Sequence, residues 1–167
     1  MKKIKVFIKY MMRNFFSMLV KQTVMTYGSG LKVNYYSKVN TKTVLKNNVN
    51  MNGLIISGGG RVVIGNNFHC GKECLLITQV HNYEGSKIPY DHTYKLKEIN
   101  IEDNVWIGHR VTIIGACNIG EGSIIQAGSV VVNDVKPLSI VGGSPAKVFS
   151  SRDEKHYYAL RERKAFH

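Results

Sequence analysis

The sequence predicts an all-β solenoid, in which short strands coil around one continuous core. Three observations lead to this prediction: branched apolar residues recur every six positions, small or branched residues follow most of them four positions later, and Gly, Asn or Asp lie between. The chain has 167 residues, of which 44% are hydrophobic and 20% charged, so it suits one globular domain and excludes a wholly disordered protein.

The six-residue repeat is clearest between positions 101 and 136. Its apolar positions are Ile101, Ile107, Ile113, Ile119, Ile125 and Val131, and Pro137 continues the register. Four residues after the first six come Val105, Val111, Cys117, Ser123, Ser129 and Val135. An α-helix would scatter positions spaced by six around its circumference, whereas a strand followed by a tight turn returns them to one face. Each hexad therefore predicts two inward-facing positions.

Weaker hexads precede this block, and an interruption divides the two regions. One phase contains Ile64, Cys70 and Leu76, and another contains Val33, Val39, Leu45 and Met51. Residues 81–98 are polar and aromatic and carry no six-residue pattern. We interpret them as an excursion loop from the solenoid, a kind of segment that often carries function.

Both ends of the chain differ from the repeat. Residues 1–27 have apolar side chains at helical spacing among lysines and predict an amphipathic helix that either caps the solenoid or docks on an anionic membrane. Residues 28–150 form the predicted solenoid, and 151–167 predict a C-terminal helix. The uncharged run at 14–20 is too short to span a bilayer, and no cleavage site follows it. We expect a cytoplasmic protein with reduced thiols, or one peripheral on the inner membrane face.

The positive charge is concentrated in the first half of the chain. Residues 1–72 contain twelve Lys or Arg and no acid, whereas residues 73–167 contain eleven of each. Such a field favours a polyanion, which could be nucleic acid, an anionic membrane or a phosphate-rich small molecule.

The repeat resembles that of a known family. The hexads of 101–136, the closing segment VGGSPAKV at 141–148 and the NVWIG segment at 104–108 are similar to those of hexapeptide-repeat acyltransferases. The NVWIG segment is typical of the sugar O-acetyltransferase branch, which includes galactoside, maltose, capsule and colanic-acid acetyltransferases. The resemblance covers about residues 33–150. It implies a left-handed parallel β-helix with three hexads per turn, a homotrimer, and acetyl-coenzyme A bound in a groove between neighbouring solenoids.

Histidine suits the chemistry that the resemblance implies, because acetylation of a hydroxyl needs a base with a pKa near neutrality. Similar enzymes place their catalytic histidine where His81 stands, directly after a strand and at the start of the loop. We expect His81 to be the general base. The histidines His69, His92, His156 and His167 are interpreted as non-catalytic. The three cysteines look like core residues, so direct transfer is expected rather than an acyl-enzyme.

The same resemblance assigns expected roles to other residues. The backbone N–H of His109 follows the NVWIG turn and would hold the developing oxyanion. The cofactor groove would be lined by Ala127, Gly128, Val132, Asn133 and Gly142, with Lys147 and then Arg152 as phosphate ligands. Asn82, Tyr83 and Trp106 would form the saccharide wall. No metal is expected.

Three alternatives stay open at this point. The same fold could N-acetylate an amino sugar or an antibiotic. A β-helix carbonic anhydrase would need three zinc-binding histidines, for which His81, His92 and His109 supply the number. A basic solenoid could also be a non-enzymatic scaffold, although no nucleic-acid-binding motif is present and we expect no nucleic-acid partner.

Overall fold

The chain folds as a parallel β-solenoid of about six turns, with one helix at each end. The computed structural model describes residues 2–167, with side chains from residue 4. Helix α1 is Lys2–Thr23 and helix α2 is Glu154–Glu162. The strands are β1 (Thr26–Tyr27), β2 (Lys32–Tyr35), β3 (Thr43–Leu45), β4 (Asn50–Ser57), β5 (Val62–Ile64), β6 (His69–Ile77), β7 (Gln79–His81), β8 (Tyr94–Leu96), β9 (Ile99–Ile101), β10 (Trp106–Ile107), β11 (Thr112–Ile114), β12 (Cys117–Ile119), β13 (Ile124–Ile125), β14 (Val130–Val131), β15 (Ser139–Gly143) and β16 (Ala146–Ser151). The predicted fold class is confirmed.

The strands form three faces, which the chain visits in the order A, B, C. Face A contains β1, β3, β5, β9 and β12. Face B contains β2, β10, β13 and β15, with β16 added antiparallel, and face C contains β11 and β14. The long strands β4 and β6 continue through the corner between B and C and contribute to both faces. Strands β7 and β8 form a separate antiparallel hairpin.

The pairing register confirms the hexad interpretation. Ile101 pairs with Ile119, Ile107 with Ile125, and Ile113 with Val131, each pair eighteen residues apart. One turn therefore takes three hexads, as a left-handed β-helix of hexapeptide repeats requires. The predicted inward positions from residue 101 to Val135 are buried and share one apolar core with the earlier coils.

The last coil departs from the predicted register. Val135 bridges to Ile119 and Val141 pairs with Ile125, so this coil has sixteen residues rather than eighteen. Val135 thus takes the position predicted for Pro137, whose side chain is exposed. The expectation that Pro137 continues the inward register is wrong, because two residues are missing where the chain passes from face C to face A.

The corner between faces A and B is built from stacked asparagines. Asn48, Asn67 and Asn104 have positive φ angles of 54°, 54° and 60°, a conformation that asparagine tolerates better than most residues. Their side chains form a ladder, with Asn48 donating to Asn67 at 3.0 Å and Asn67 donating to Asn104 at 2.8 Å. The ladder ends on Tyr157 of α2, whose hydroxyl accepts from Asn104 at 2.8 Å and donates to Glu121 at 2.9 Å. These contacts hold α2 on the solenoid.

The C-terminal part of α1 is fixed to the first coil. Ser17, Val20 and the following Val24 are buried, and the Val33 N–H donates to Ser17 Oγ at 3.0 Å. Within the described residues, neither helix combines the length and apolarity that a membrane crossing needs.

Candidate functional site

A groove of about 560 Å³ runs along face B beside the corner with face C. It is called the BC groove here. Its floor is formed by β10, β13 and β15, Lys9 of α1 lies at one end, and Phe149 of β16 lines it near Gln126. Its corner residues are Gly71, Lys72, Gly108, His109, Gln126 and Ala127.

Glycines let successive coils approach each other at this corner. A Cβ on Gly71 would lie 2.6 Å from the His109 nitrogen, and one on Gly108 would lie 2.5 Å from the Ala127 nitrogen. A larger residue at either position would force the coils apart. The backbone nitrogens of His109 and Ala127 are therefore held in fixed places along the corner.

His109 is oriented by the preceding coil. The Lys72 N–H donates to its Nδ1 at 3.2 Å, which leaves Nε2 to carry the proton of the neutral ring. The residues that the structure describes supply no acceptor to the His109 N–H itself. An amide held in place and without an acceptor is the type of donor that can stabilise an oxyanion.

Three other predicted cofactor residues lie at the same corner on later coils. Ala127 lines the groove, Gly128 donates its N–H to the His109 carbonyl at 2.8 Å, and Gly142 pairs with the exposed Lys147 on β16. Neighbouring strands lie about 4.8 Å apart, so the backbones of His109, Ala127 and Gly142 on three successive coils form a row about 10 Å long.

The groove also contains residues that sequence reasoning missed. His69 pairs in register with Trp106, and both side chains line the groove. Asn34 donates from Nδ2 to Asn50 at 3.0 Å and to Asn52 at 2.9 Å, while Asn52 donates to the Cys70 carbonyl at 2.7 Å. The spacing between His69 and Trp106 could have identified His69. The two residues are 37 positions apart, which is one coil of eighteen residues plus nineteen residues added by the excursion.

The fold alters the ionisation of His69, which lines the groove. Burial lowers its pKa, and the nearby His167 and His109 lower it further, because a second positive charge would be repelled. The fold therefore favours the neutral form of the ring. It lies 3.5 Å from Asn52 Nδ2, so a neutral base and an amide stand together beside Trp106.

His81 lies at another corner of the solenoid. Strand β7 leaves the solenoid after Thr78, and the chain returns at Lys97, whose N–H donates to the Thr78 carbonyl at 2.8 Å. This is the corner between faces C and A. From Glu73 to Thr78 the strand spans about 16 Å, so the width of face C separates His81 from the BC groove.

Aromatic rings hold His81 within the hairpin. Its ring stacks on Tyr90 with the centroids 3.7 Å apart, and Tyr94 lies at 4.7 Å on the paired strand. The imidazole is exposed, so a molecule outside the hairpin can reach it.

The remaining predicted residues divide among the corners. Val132 and Asn133 are exposed at the same corner as the hairpin, after β14. Asn82 donates to Thr93 Oγ1 at 3.1 Å, and Tyr83 is exposed beside the Lys95 ammonium, so both belong to the hairpin and not to the BC groove.

Arg152 belongs to neither of these two sites. Its Nε donates to the Gly122 carbonyl at 2.6 Å, and its guanidinium lies over the Tyr157 ring. The side chain lines a second cavity of about 500 Å³ under α2, on the other side of Trp106 from the BC groove.

The thiols of the described residues lie in the core and do not line the BC groove. Cys70, Cys74 and Cys117 are buried and free. Burial raises the pKa of Cys117, whereas the hydrogen bond with Cys70 lowers the pKa of Cys74, which is shielded from solvent. In residues 2–167 no three His, Cys, Asp or Glu side chains come together as metal ligands, so His81, His92 and His109 do not converge.

The structure therefore brings Trp106, His109, Ala127, Gly128, Gly142 and Lys147 to the BC corner and places His81, Asn82, Tyr83, Val132 and Asn133 at the corner between C and A. One chain holds the two parts of the predicted site at opposite edges of face C.

Comparison with known proteins agrees with the six-residue repeat and the fold. The family model described as bacterial transferase hexapeptide (six repeats) matches residues 98–133. A Saccharomyces cerevisiae protein described as a candidate acetyltransferase is 35% identical over 111 residues, which are 66% of this chain and 56% of that protein. A Schizosaccharomyces pombe protein with the same description is 42% identical over 86 residues, or 52% of this chain and 41% of that protein. The chain thus spans about half the length of these curated relatives.

A solved structure shares the fold over most of the chain. The hexapeptide-repeat acetyltransferase of Vibrio cholerae, solved with acetyl-coenzyme A, superposes with a TM-score of 0.68 at 27% identity, covering 81% of this chain and 76% of that one. In its repeat and in its fold, this chain is therefore similar to the hexapeptide-repeat acetyltransferases.

Proposed function

We propose that this chain is an acetyl-coenzyme A-dependent O-acetyltransferase that acts on a saccharide hydroxyl and assembles as a homotrimer in the cytoplasm. The observation that carries the proposal is the BC corner, where the His109 N–H has no acceptor among the described residues and lies beside Ala127 in the groove. The relationship to a coenzyme A-binding acetyltransferase supports the choice of donor. Three free, buried thiols fit a reducing compartment.

The donor is proposed to bind along the BC corner. Its pantetheine amides would pair with the backbone of Ala127, which is free within the described residues, as extended ligands do at strand edges. They would pass Gly128 and Gly142, whose backbone already contacts His109 and Lys147. The ammonium of Lys147 is exposed at the end of this line and would meet the phosphates. Arg152 is a weaker candidate for that role, because the Gly122 carbonyl already accepts its Nε–H.

The two halves of the site are proposed to meet between copies of the chain. If the corner between C and A of one copy faces the BC groove of the next, then His81, Val132 and Asn133 of the first copy reach the donor of the second. With a rotation of about 120° between neighbouring copies, this head-to-tail contact would close into a ring of three copies with three equivalent sites. Asn82 and Tyr83 would then join Trp106 around the acceptor.

The proposed reaction is direct transfer. The acceptor oxygen attacks the thioester carbonyl carbon while His81 removes the hydroxyl proton. The carbonyl oxygen becomes an oxyanion that accepts a hydrogen bond from the His109 N–H, a contact that is strongest in the transition state. Collapse of the tetrahedral intermediate expels the coenzyme A thiolate, which takes the proton from the His81 imidazolium, leaving an acetyl ester and free coenzyme A.

Release of free thiol from acetyl-coenzyme A, measured with a panel of sugars, tests the proposal. His81→Ala should lower kcat by about 10²- to 10⁴-fold, the usual contribution of a general base, while coenzyme A affinity stays within about twofold. His92→Ala, a change in the same hairpin, is the matched control and should leave kcat unchanged. Unchanged turnover in His81→Ala would reject His81 as the base.

His69→Ala tests the rival base, since His69 lines the groove and the fold favours the neutral form of its imidazole. If kcat falls in His69→Ala but not in His81→Ala, then His69 is the general base and the active site lies within a single chain. Transfer to amino sugars but not to hydroxyl acceptors would instead identify an N-acetyltransferase.

A further inference from the structure

Helix α1 carries a row of large apolar side chains that the rest of the described residues do not cover. We call this row the apolar stripe. Its members are each 46–64% exposed, and they are Ile4, Phe7, Ile8, Met11, Met12, Phe15 and Met18. An uncovered row of this size on one helix is unusual for a water-facing surface and marks a contact with another body.

The orientation of the stripe is fixed by the opposite side of the helix. At about 100° per residue, Arg13, Ser17 and Val20 lie on the side opposite Met11 and Phe15. Ser17 and Val20 are buried against the first coil. The stripe therefore points away from the solenoid and cannot turn towards it without breaking these contacts.

A basic cleft of about 600 Å³ adjoins the stripe at Met18. It contains the cations Lys21 and Lys32, with Arg13 farther round the helix from the stripe, and none of its lining residues is acidic. Two of the cations lie over tyrosine rings, with Arg13 at 5.2 Å from the Tyr10 centroid and Lys21 at 5.3 Å from that of Tyr27. The cleft thus offers an anion several positive charges next to an apolar surface.

We propose that the apolar stripe and the basic cleft form a docking surface for a membrane containing anionic phospholipids. Helix α1, which is about 33 Å long, would lie in the plane of the interface, with its apolar side chains among the acyl chains and the cleft against phosphate headgroups. A second copy of α1 fits the surface less well, because α1 contains only basic charged residues and two such helices would repel each other.

The docking surface lies close to the BC groove, because Lys9 of the same helix lines that groove. With a helix diameter of about 10 Å, the groove would open beside the headgroups. This proposal does not depend on the proposed acetyl transfer, since membrane binding and turnover are measured separately.

Sedimentation of the full chain with lipid vesicles tests the docking surface. We expect binding to phosphatidylcholine vesicles that contain phosphatidylglycerol, weaker binding to phosphatidylcholine alone, and release by salt. The variant Met11→Glu/Phe15→Glu should bind at least tenfold more weakly. Both residues are exposed, so the circular dichroism spectrum should not change. Ile88→Glu, at a fully exposed apolar residue of the excursion loop, is the matched control and should bind like the unaltered chain.

Charge reversal at the cleft separates the headgroup contact from the apolar contact. Each cation near an anionic surface contributes about fivefold in affinity, so Lys21→Glu/Lys32→Glu should reduce binding by well over tenfold and remove the preference for phosphatidylglycerol. Equal binding of this variant to both vesicle types at reduced affinity is the expected result.

Two results would overturn the proposal. One is the absence of binding to phosphatidylglycerol vesicles at low salt. The other is a change in the oligomer mass of Met11→Glu/Phe15→Glu, by light scattering, with vesicle binding unaltered, which would show that a second copy covers the stripe.

Discussion

At the scale of single residues, two serines occupy equivalent inward positions with opposite hydrogen-bonding states. Ser123 is fully buried, and within the described residues its hydroxyl has no partner. Ser129, one hexad later, donates to the Gln126 carbonyl at 2.7 Å and accepts from the Gly143 N–H at 3.2 Å. The buried hydroxyl therefore destabilises the fold at Ser123, whereas the hydroxyl of Ser129 stabilises it by joining two backbone groups.

Replacing each serine by alanine should separate these effects. Ser123→Ala removes an unpaired buried hydroxyl and should raise the free energy of unfolding by about 1 kcal/mol. Ser129→Ala leaves the Gly143 N–H without its acceptor, while the Gln126 carbonyl keeps the Ser129 N–H as a donor, and should lower it by about 1 kcal/mol. Urea denaturation measures both values. Equal effects of the two substitutions would show that the hydroxyl environments do not differ as described.

The lowered pKa of His69 predicts a pH dependence of stability. The unfolded chain binds a proton at this ring more readily than the folded chain, so stability is present above the ordinary histidine pKa of about 6.5 and falls as the pH drops below it. His69→Gln should therefore lose less of its Tm between pH 7.5 and 5.5 than the unaltered chain. Identical losses of Tm in the two proteins would show that His69 does not cause the loss of stability at low pH.

At the scale of elements, the hairpin that carries His81 is organised by one carboxylate. Asp91 accepts from the Ser86 N–H at 2.9 Å and the Thr93 N–H at 2.8 Å, and the Thr93 hydroxyl also donates to it. The Thr93 hydroxyl and the two N–H groups hold the Asp91 pKa well below its ordinary value. Gly85 lies so close that a Cβ would meet the carboxylate. These contacts fix the path of the loop on both sides of Tyr90.

Asp91→Asn should loosen this loop without unfolding the solenoid, because the neutral amide accepts these bonds more weakly than a carboxylate. Amide hydrogen exchange at 82–93 should accelerate, and turnover should fall at least tenfold because Tyr90 no longer fixes His81. Glu84→Gln, which removes only the exposed contact with Lys95, is the control. Unchanged exchange in Asp91→Asn would refute the organising role of this carboxylate.

The elements also show how far the sequence could predict the fold. The hexads from Ile101 to Val131 predicted the coils, because the first inward position of every hexad is Ile or Val and these residues stack on each other in successive coils. They could not predict the shortened last coil, since Pro137 happens to fall in phase although it is exposed. The asparagine ladder was also missed, because its side chains pair with other coils and not with neighbours in sequence.

At the scale of the whole molecule, the structure separates residues that the family resemblance assigned to one site. Trp106, His109 and Ala127 lie together in the BC groove, while His81 lies across face C. Sequence spacing places a residue at a corner of its own solenoid but gives no information on which corner of another copy it faces. Likewise, the period of α1 predicted an amphipathic helix but not that its apolar side would point away from the solenoid.

The central claim is that each site combines His81 of one copy with the BC groove of another. Mixing two inactive variants tests it most directly: His81→Ala lacks the base, and Ala127→Trp blocks the groove. If sites form between copies, refolding the two together should restore about a quarter of the unaltered turnover, since one contact in four in a random ring pairs an intact His81 with an intact groove. If mixed samples stay as inactive as each variant alone, the site does not form between copies.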